Sequence, residues 1–580
     1  MSFRSIFLLT GFCFITACSP NGTHHEQAEP ADLLFWGGEV HTMDPKQSIK
    51  QAIAVKQDKI VWVGNDSNSE VWTGPETKKI NLRGRMVIPG IQDAHIHPIM
   101  SGLQALNCPL DELTTLEQYL KAIRICSEHN KDRPWILGGG WSMSVFGPGA
   151  MPDKTLLDAI IPDKPVFLVS SDGHTGWANS VALERAGITG ETPDPVDGRI
   201  DRNETSGEPV GSLQEGAMAL IEKVLPAVSP SRRQQALLNS IRMLNRYGIT
   251  SIQDAMVSEP DLISYQTAQL AGQLSLRVRA SLWWDRTQGI EQLQNMIRLR
   301  ETYSEGLLNA GTIKIMQDGV MENYTAVLLE PYRVKGSPLG IPMIEPELLK
   351  EIVSLLDAND FQVHFHAIGD GAIRQSLNAV QAAGERNGNR DSRHHISHLQ
   401  IINKADIPRF AELAVVANFQ PLWAFQDDYI VDLTLPFISE EQANQLYPIA
   451  SVVNSGGKIA FGSDWSVSTA NPFPQIEVAV TRLNPETSAG PALLEGEKIS
   501  VNQALAAFTI NAAFTNHLDH TTGSLETGKL ADFIVLDQNL FTVPASEISE
   551  TKVLLTLFNG RTVHGSFNDL QQQIIPTKVR

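Results

Sequence analysis

The middle of the chain, from about residue 87 to residue 519, alternates short apolar runs with helical patterns. One such pattern places Leu237, Ile241 and Leu244 on one face and ends at Gly248, which predicts an amphipathic helix. Strands that alternate with helices favour parallel strands joined by helical crossovers. Eight runs qualify as strands, the first led by residues 87–91 and the others at 249–252, 276–284, 312–316, 362–366, 393–398, 415–419 and 458–461. The pattern therefore predicts an α/β fold, a (β/α)8 TIM barrel over residues 87–519.

Two further regions do not fit the barrel repeat. The gap after the first strand, about residues 100–230, is too long for a simple connection and predicts an insertion subdomain. Residues 31–86 and 520–580 both show short strand and turn signals, among them the turn dipeptide Asn559-Gly560. Neither end has enough apolar residues for its own core, so we expect the two ends to form one small β-sandwich domain.

Size and charge limit the classes of partner. The chain has 580 residues, more than one compact domain usually holds, and 46 Lys+Arg against 65 Asp+Glu give a formal charge of −19. An acidic surface repels phosphate backbones, which argues against nucleic acid as a partner. The sequence leaves the oligomeric state open, and base rates favour a homodimer.

The N-terminus has the character of an export signal. Arg4 precedes an apolar run over residues 6–17 that matches a signal-peptide core and is too short for a membrane helix. The run ends in Ile-Thr-Ala-Cys, which resembles the lipobox of bacterial lipoproteins, and Ser19 after the cysteine resembles outer-membrane sorting. We therefore expect a protein on the periplasmic side of the outer membrane that touches the membrane only through its anchor. The prediction is a signal peptide over 1–17, a lipidated Cys18 and a tether over 18–30; plain secretion with an incidental Cys18 is the alternative.

The remaining cysteines leave one pair for a disulfide. Once Cys18 carries lipid, Cys108 and Cys126 are the only pair expected. An exported protein permits this bond, but the sequence does not demand it, and two buried thiols fit equally well.

Residues with metal-binding chemistry stand at the predicted carboxyl ends of the strands, where a barrel of this type keeps its active site. His95 and His97 end the first strand, and residues two apart in a strand face the same side. Two neutral imidazoles at this spacing suit zinc. Lys314 lies inward among apolar neighbours, where an ammonium is costly unless it is partnered or modified.

Three later strands end in the same way. His366, His398 and Asp464 each close a separate strand pattern. Four histidines, a lysine and an aspartate at the ends of five strands indicate one metal constellation rather than scattered polar residues of the core.

This order of residues resembles the amidohydrolase superfamily of metal-dependent hydrolases. Within it, the N-substituted formamide deformylase-like branch, amidohydrolase family 3, is the most similar. The resemblance covers about Ala31 to about Gly565, and its specificity lies in the joint order of the motifs. The motifs are PGIQDAHIH from Pro89, KIMQDG from Lys314, HAIGD from His366, GSDW from Gly462 and GSLETGKLAD from Gly523.

The resemblance implies two divalent metal ions and a general acid–base. Zinc is the default for a histidine-rich site, although manganese, iron or cobalt would also fit. An ordinary Lys314 paired with a carboxylate is the alternative to a carbamate on that lysine. The implied ligands are His95, His97 and Asp464 for one metal, His366 and His398 for the second, and a carbamate on Lys314 as the bridge. Asp464 would also take a proton from water and return it to the leaving amine.

Two other histidines have predicted roles near this site. His174 lies in the stretch DGHTGWANS from Asp172 to Ser180, which resembles part of the extra subdomain of this branch, and we expect His174 to polarise the substrate. A turn that caps the next helix is the alternative for that stretch. His364 precedes His366 by two residues, so it would face the same side as a supporting or alternative ligand.

These residues favour a hydrolase that cleaves a C–N bond in a small molecule: an amide, an N-substituted formamide or a cyclic amide. A deaminase or a lactone or ester hydrolase would use the same site, because fold does not fix the reaction. The third hypothesis is a non-catalytic periplasmic binding lipoprotein, but binding alone has no evident need for Asp464.

Overall fold

A computed structural model describes residues 29–111, 113–147 and 151–572. The predicted signal peptide over 1–17, the lipidation site Cys18 and the tether up to residue 28 lie outside the described residues. In the part of the chain that is described, no helix combines the length and the apolar character needed to cross a membrane.

Eight parallel strands, numbered β1 to β8 here, form the central sheet, and each pairs with the next along the chain. Asp464 N–H donates to the His95 carbonyl at 2.8 Å, so the segment after the last strand meets the first strand. The barrel is thus nearly closed, which confirms the predicted α/β fold. The strands are Ile91–Ile96 (β1), Ile249–Val257 (β2), Arg277–Trp283 (β3), Leu308–Met316 (β4), Gln362–Ala367 (β5), His395–His398 (β6), Val416–Phe419 (β7) and Ile459–Phe461 (β8).

The helices of the barrel cover the outside of this sheet. Pro230–Arg246 illustrates why they form: Ser229 caps the first turn, Pro230 occupies the first position, and Leu237 and Leu244 are buried on one face. The other helices that follow barrel strands are Glu259–Leu270, Leu293–Tyr303, Pro346–Ala358, Asp370–Asn387, Ile407–Glu412, Asp428–Val431, Glu440–Ala443, Ile449–Asn454, Pro472–Thr481, Val501–Phe508 and Ile510–Thr515.

The barrel begins at Ile91, four residues later than the sequence predicted. Met86–Pro89 is a strand of a different sheet, where it pairs with Phe533–Leu536. Gly90 makes the step between the two sheets, and a Cβ there would lie 2.3 Å from Thr250 Oγ1. The apolar pattern of the sequence continues across Gly90, so the pattern could not show where one sheet ends and the next begins.

Strands from both ends of the chain form two sheets beside the barrel. Phe35 from one sheet and Phe533 from the other pack edge to face, with ring centroids 5.1 Å apart, inside a shared hydrophobic cluster. One sheet contains Leu33–Trp36, Ala52–Lys56, Lys59–Gly64 and Lys78–Asn81. The other contains Glu39–His41, Ile49–Lys50, Met86–Pro89, Phe533–Leu536, Val553–Phe558 and Arg561–His564, and the helix Phe567–Gln572 follows.

The segment between β1 and β2 contains a six-stranded sheet of its own. Its strands are Cys108–Pro109, Ile136–Trp141, Val166–Ser170, Thr175–Ala178, Gly198–Arg202 and Pro209–Glu215. Its helices are Pro98–Ala105, Leu116–His129, Lys154–Asp158, Ser180–Ala186 and Ala219–Glu222. This segment lies next to the carboxyl ends of the barrel strands and supplies part of the wall of the cavity described below.

A disulfide joins Cys108 to Cys126, which decides between the two alternatives that the sequence left open. The bond closes a loop with a sequence separation of 18 residues. By the chain-entropy model, a loop of this size destabilises the unfolded state by roughly 3 kcal/mol.

We therefore expect Cys126→Ser to lower the free energy of unfolding of the insertion by about 3 kcal/mol under oxidising conditions. Differential scanning calorimetry would show this as an unfolding transition at a lower temperature than in the unsubstituted protein. In excess reductant the two proteins should unfold together. A difference that persists in reductant would mean that the loss comes from packing at Cys126 instead.

Candidate metal centre

A cavity of about 1410 Å³ lies at the carboxyl ends of the barrel strands, between the barrel and the insertion. All the metal ligands predicted from the sequence line it, and so does His174. The predicted ligands are His95, His97, Lys314, His366, His398 and Asp464.

His95, His97 and Asp464 form the tightest group in this cavity. One ligand atom from each lies within 4.8 Å of the others. Asp464 Oδ1 is 3.3 Å from His95 Nε2 and 3.1 Å from His97 Nε2. His95 belongs to β1, and His97 follows that strand at the start of Pro98–Ala105. Asp464 follows β8 with a φ of 52°, a conformation rare outside glycine and typical of functional positions.

His366, His398 and Lys314 extend the group on the adjoining strands. The rings of His366 and His398 have centroids 4.4 Å apart, and His398 Nδ1 lies 3.8 Å from Asp464 Oδ2. Lys314 is 2% exposed, and no hydrogen bond or ion pair of its ammonium is found among the described residues. Burial lowers the pKa of Lys314 to about 7, which makes the neutral amine accessible at neutral pH. The neutral amine is the form that a carbamate requires.

Several nitrogen and oxygen atoms of this group that could bind a metal have no hydrogen-bond partner among the described residues. They are His97 Nδ1, His366 Nδ1, His398 Nδ1 and Asp464 Oδ1, all buried. A buried polar atom without a partner is destabilising, so such a cluster requires an explanation. Imidazole and carboxylate donors directed at one another fit a divalent metal, and zinc prefers this donor set.

The protonation states suit the same role. Burial lowers the pKa of His95 to about 3 and holds the pKa values of His366 and His398 well below their usual range. Their imidazoles are therefore neutral, as metal ligands must be. Burial alone would raise the pKa of Asp464, but the adjacent His95 and His97 outweigh it and keep that carboxyl ionised.

His174 brings a positive charge to the cavity wall. Its Nδ1 lies 2.8 Å from Glu215 Oε2, and its ring centroid is 5.2 Å from that of His366. Burial would lower the pKa of His174, but the Glu215 carboxylate outweighs it and raises the pKa to about 9. The same stretch also caps the next helix, because the Asn179 side chain accepts from the Ala182 N–H at 3.0 Å at the start of Ser180–Ala186.

His364 contacts a predicted ligand rather than the centre of the group. Its Nε2 lies 2.8 Å from both His95 Nδ1 and Ser397 Oγ. This contact directs His95 Nε2 towards Asp464, the arrangement by which a partner fixes the orientation of a metal-binding histidine. Spacing alone could not distinguish a supporting residue from an alternative metal ligand, because both roles require the same face of β5.

Asp318 was missed by the sequence analysis as a site residue. It lies 3.3 Å from His366 Nδ1, and its carboxylate accepts the backbone N–H groups of Val327, Ile368 and Gly369 at 2.9–3.0 Å. It therefore fixes the loop after β5, and its carboxylate lies beside the His366 ring without a hydrogen bond to it. The only sequence signal was its place in the KIMQDG motif, four residues after Lys314.

Known proteins are similar to this chain over most of its length. A family model described as "Amidohydrolase family" matches residues 78–564. Protein LONG AFTER FAR-RED 3 of Arabidopsis thaliana is 32% identical over 542 residues, 92% of each chain. N-substituted formamide deformylase of Arthrobacter pascens is 27% identical, over 91% of this chain and 97% of that protein. The crystal structure of an uncharacterized metal-dependent hydrolase from Pyrococcus horikoshii OT3 has a TM-score of 0.69 at 22% identity and covers 88% of this chain and 99% of the other.

Proposed function

Because this chain belongs to the amidohydrolase family, we propose that it is a metal-dependent hydrolase of a C–N bond in a small molecule, an amide, N-substituted formamide or cyclic amide. The observation that carries the proposal is the group His95, His97 and Asp464, whose ligand atoms lie within 4.8 Å of one another at the carboxyl ends of the barrel strands. The name of the Arthrobacter pascens relative supports the choice of bond.

Two divalent metal ions, with zinc as the default, would occupy this group. When bound, such ions acidify water and polarise a carbonyl group. Their ligands would be His95, His97 and Asp464 for one ion and His366 and His398 for the other, with Lys314 as a bridging carbamate. His364 would hold the His95 ring in place from behind, and Asp318 lies beside the His366 ring.

Asp464 has the charge and the position for proton transfer. It is ionised, and it lies among the histidines with one oxygen free of hydrogen bonds. It accepts a proton as water adds to the carbonyl carbon, and it returns that proton to the nitrogen as the C–N bond breaks. The products are then a carboxylic acid and an amine.

His174 has the charge to stabilise the oxygen of the carbonyl group. Its Nδ1 is occupied by Glu215, which leaves the Nε2–H available to the cavity. A fixed donor with a positive charge stabilises the negative charge that develops on this oxygen, and a buried site strengthens the effect. Glu215 is held in turn by Thr325 Oγ1, which donates to its Oε1 at 2.7 Å.

Metal content per chain tests the proposal first. We expect about two equivalents of zinc or a similar metal by elemental mass spectrometry on the chain lacking Cys18. Chelation should abolish hydrolysis of a panel of formamides, amides and lactones, and the metal should restore it. Preferential turnover of lactones would move the assignment to the ester hydrolase alternative. Release of ammonia from an amino-substituted heterocycle, with no turnover of the amides, would move it to the deaminase alternative.

A Lys314 variant tests whether this lysine bridges the two metal ions. Lys314→Ala should reduce the metal content to about one equivalent, because the bridging ligand is lost. Lys458→Ala, just before the start of β8 and so away from the carboxyl-end cavity, should retain both. No metal in any form after reconstitution would contradict the enzyme assignment.

A further inference from the structure

Part of the cavity wall carries carboxyl groups that the proposed chemistry does not use. Asp172, Glu322 and Asp427 all line the cavity, and none of them forms a salt bridge among the described residues. Ser170 Oγ and the His174 N–H occupy Oδ1 of Asp172, while its Oδ2 is buried without a hydrogen-bond partner. No Lys or Arg pairs with these three acids in the described residues, and the His174 imidazolium near Asp172 and Glu322 is itself paired with Glu215.

Tyr447 adds an independent sign that a polar ligand binds there. Its side chain lines the cavity and is 3% exposed, yet its hydroxyl forms no hydrogen bond within the described part of the chain. Burial, together with the Glu322 and Asp427 carboxyl groups, raises the pKa of Tyr447 well above its usual value. Because no protein atom in the described part of the chain pairs with this hydroxyl, it is left for a molecule in the cavity.

The backbone of Tyr447 is held firmly in this position. Its N–H donates to the Gln400 carbonyl at 2.8 Å, two residues beyond His398. Its own carbonyl accepts from Arg482 Nη1 at 3.1 Å, and its φ of 45° lies in the region that non-glycine residues rarely adopt. These contacts hold the backbone of Tyr447 beside the segment that follows the strand ending at His398.

An aromatic face connects this wall with the metal centre. The indole of Trp423 stacks on the His398 ring, with centroids 5.5 Å apart and planes inclined by 12°, and it lines the same cavity. Asp427 follows four residues later on the same loop. The Tyr429 hydroxyl joins this loop to the insertion by a 3.1 Å contact with Ser171 Oγ, next to Asp172. Aromatic faces and carboxylates together are the usual surroundings of a bound ammonium group.

We propose that Asp172, Glu322, Asp427, Trp423 and Tyr447 form a subsite, here called the acidic subsite, for an ammonium group at the end of the substrate remote from the scissile bond. This inference rests on the proposed function, because it defines the substrates of the same cavity as amides that carry a basic amine. The Tyr447 hydroxyl would align the carboxyl groups, and Trp423 would cover the alkyl chain that leads to the metal centre.

The electrostatics of the acidic subsite agree with a cationic ligand. Burial and the neighbouring acids Asp172 and Asp427 raise the pKa of Glu322 to about 8, and burial raises the pKa of Asp427 to about 6. These raised pKa values mean that the charged forms of the Glu322 and Asp427 carboxyl groups are disfavoured in this environment. An ammonium group among them would favour the charged carboxylates and gain charge-assisted hydrogen bonds.

A matched pair of formamides tests the acidic subsite. N-(4-aminobutyl)formamide and N-pentylformamide have the same length and differ in a terminal ammonium against a methyl group. On the metal-loaded full chain we expect kcat/KM to be at least about 10-fold higher for the cationic compound, which is the effect of one buried charged hydrogen bond. In Glu322→Gln and in Tyr447→Phe this ratio should fall towards one. Glu486→Gln, an exposed carboxyl of the same cavity, should leave it unchanged.

A binding measurement keeps this test separate from the reaction. Calorimetric titration with n-pentylammonium and with 1-pentanol should show the cation binding at least about 10-fold more tightly, and Glu322→Gln should remove this preference. Equal kcat/KM for the two formamides together with equal binding of the two probes would overturn the acidic subsite. If neither formamide is hydrolysed but the cation still binds through Glu322, the subsite stands and the proposed reaction is wrong.

Discussion

Asp464→Asn is expected to lower kcat for amide hydrolysis by about 1,000-fold or more, with metal content close to that of the unsubstituted enzyme. Asparagine has the size of aspartate and keeps one oxygen beside His95 and His97. It cannot accept a proton from water or return it to the departing nitrogen. The loss should therefore appear in kcat rather than in KM, because proton transfer occurs in the transition state.

Steady-state kinetics and metal analysis on the same preparation would check this prediction. Asp428→Asn is the matched control, since it makes the same change at an exposed carboxyl of the same cavity. A variant that retains its metal and more than one-tenth of kcat would show that another group transfers the proton. Loss of one metal equivalent would contradict the expectation that the asparagine oxygen replaces the carboxylate as a ligand, and the fall in kcat would then be due to the missing metal.

His174→Gln should lower kcat by about 100- to 1,000-fold, the usual cost of removing one donor to a developing oxyanion. Glutamine keeps an N–H donor of similar reach, but it loses the positive charge that Glu215 maintains. Glu215→Gln should act in the same direction with a smaller effect, because the imidazole remains in place without its partner.

A double-variant cycle distinguishes this mechanism from simple disruption of the cavity. If both residues act through the one imidazolium, the His174→Gln, Glu215→Gln protein should be no slower than His174→Gln alone. Glu222→Gln, another carboxyl of the cavity, should leave kcat unchanged. Additive losses would mean that Glu215 has a role independent of His174, and an unchanged kcat in His174→Gln would remove this residue from the mechanism.

The amino-acid sequence was sufficient for the barrel and for the residues brought together at its mouth. Period-two and helical patterns are local properties, so they can be read from the sequence. In a barrel of this type the residues that follow the parallel strands meet at one end, so their order along the chain predicts that they share one site. His95, Lys314, His366, His398 and Asp464 stand at separate strand ends, so the fold alone was enough to place them around one cavity. For the same reason the family resemblance could be recognised before the structure was known.

Other features depended on contacts between segments that no local pattern connects. The step between sheets at Gly90 and the contact of His364 with His95 each depend on how two distant strands pack.

The bond between Cys108 and Cys126 and the acidic subsite also depend on contacts between separate segments. Asp172 comes from the insertion, Glu322 from the loop after β4, and Tyr447 from the segment before β8. Sequence patterns report the environment of each residue along its own element, whereas these sites arise where loops from different elements meet. Only the tertiary structure, which fixes those loops by long-range hydrogen bonds and packing, could decide them.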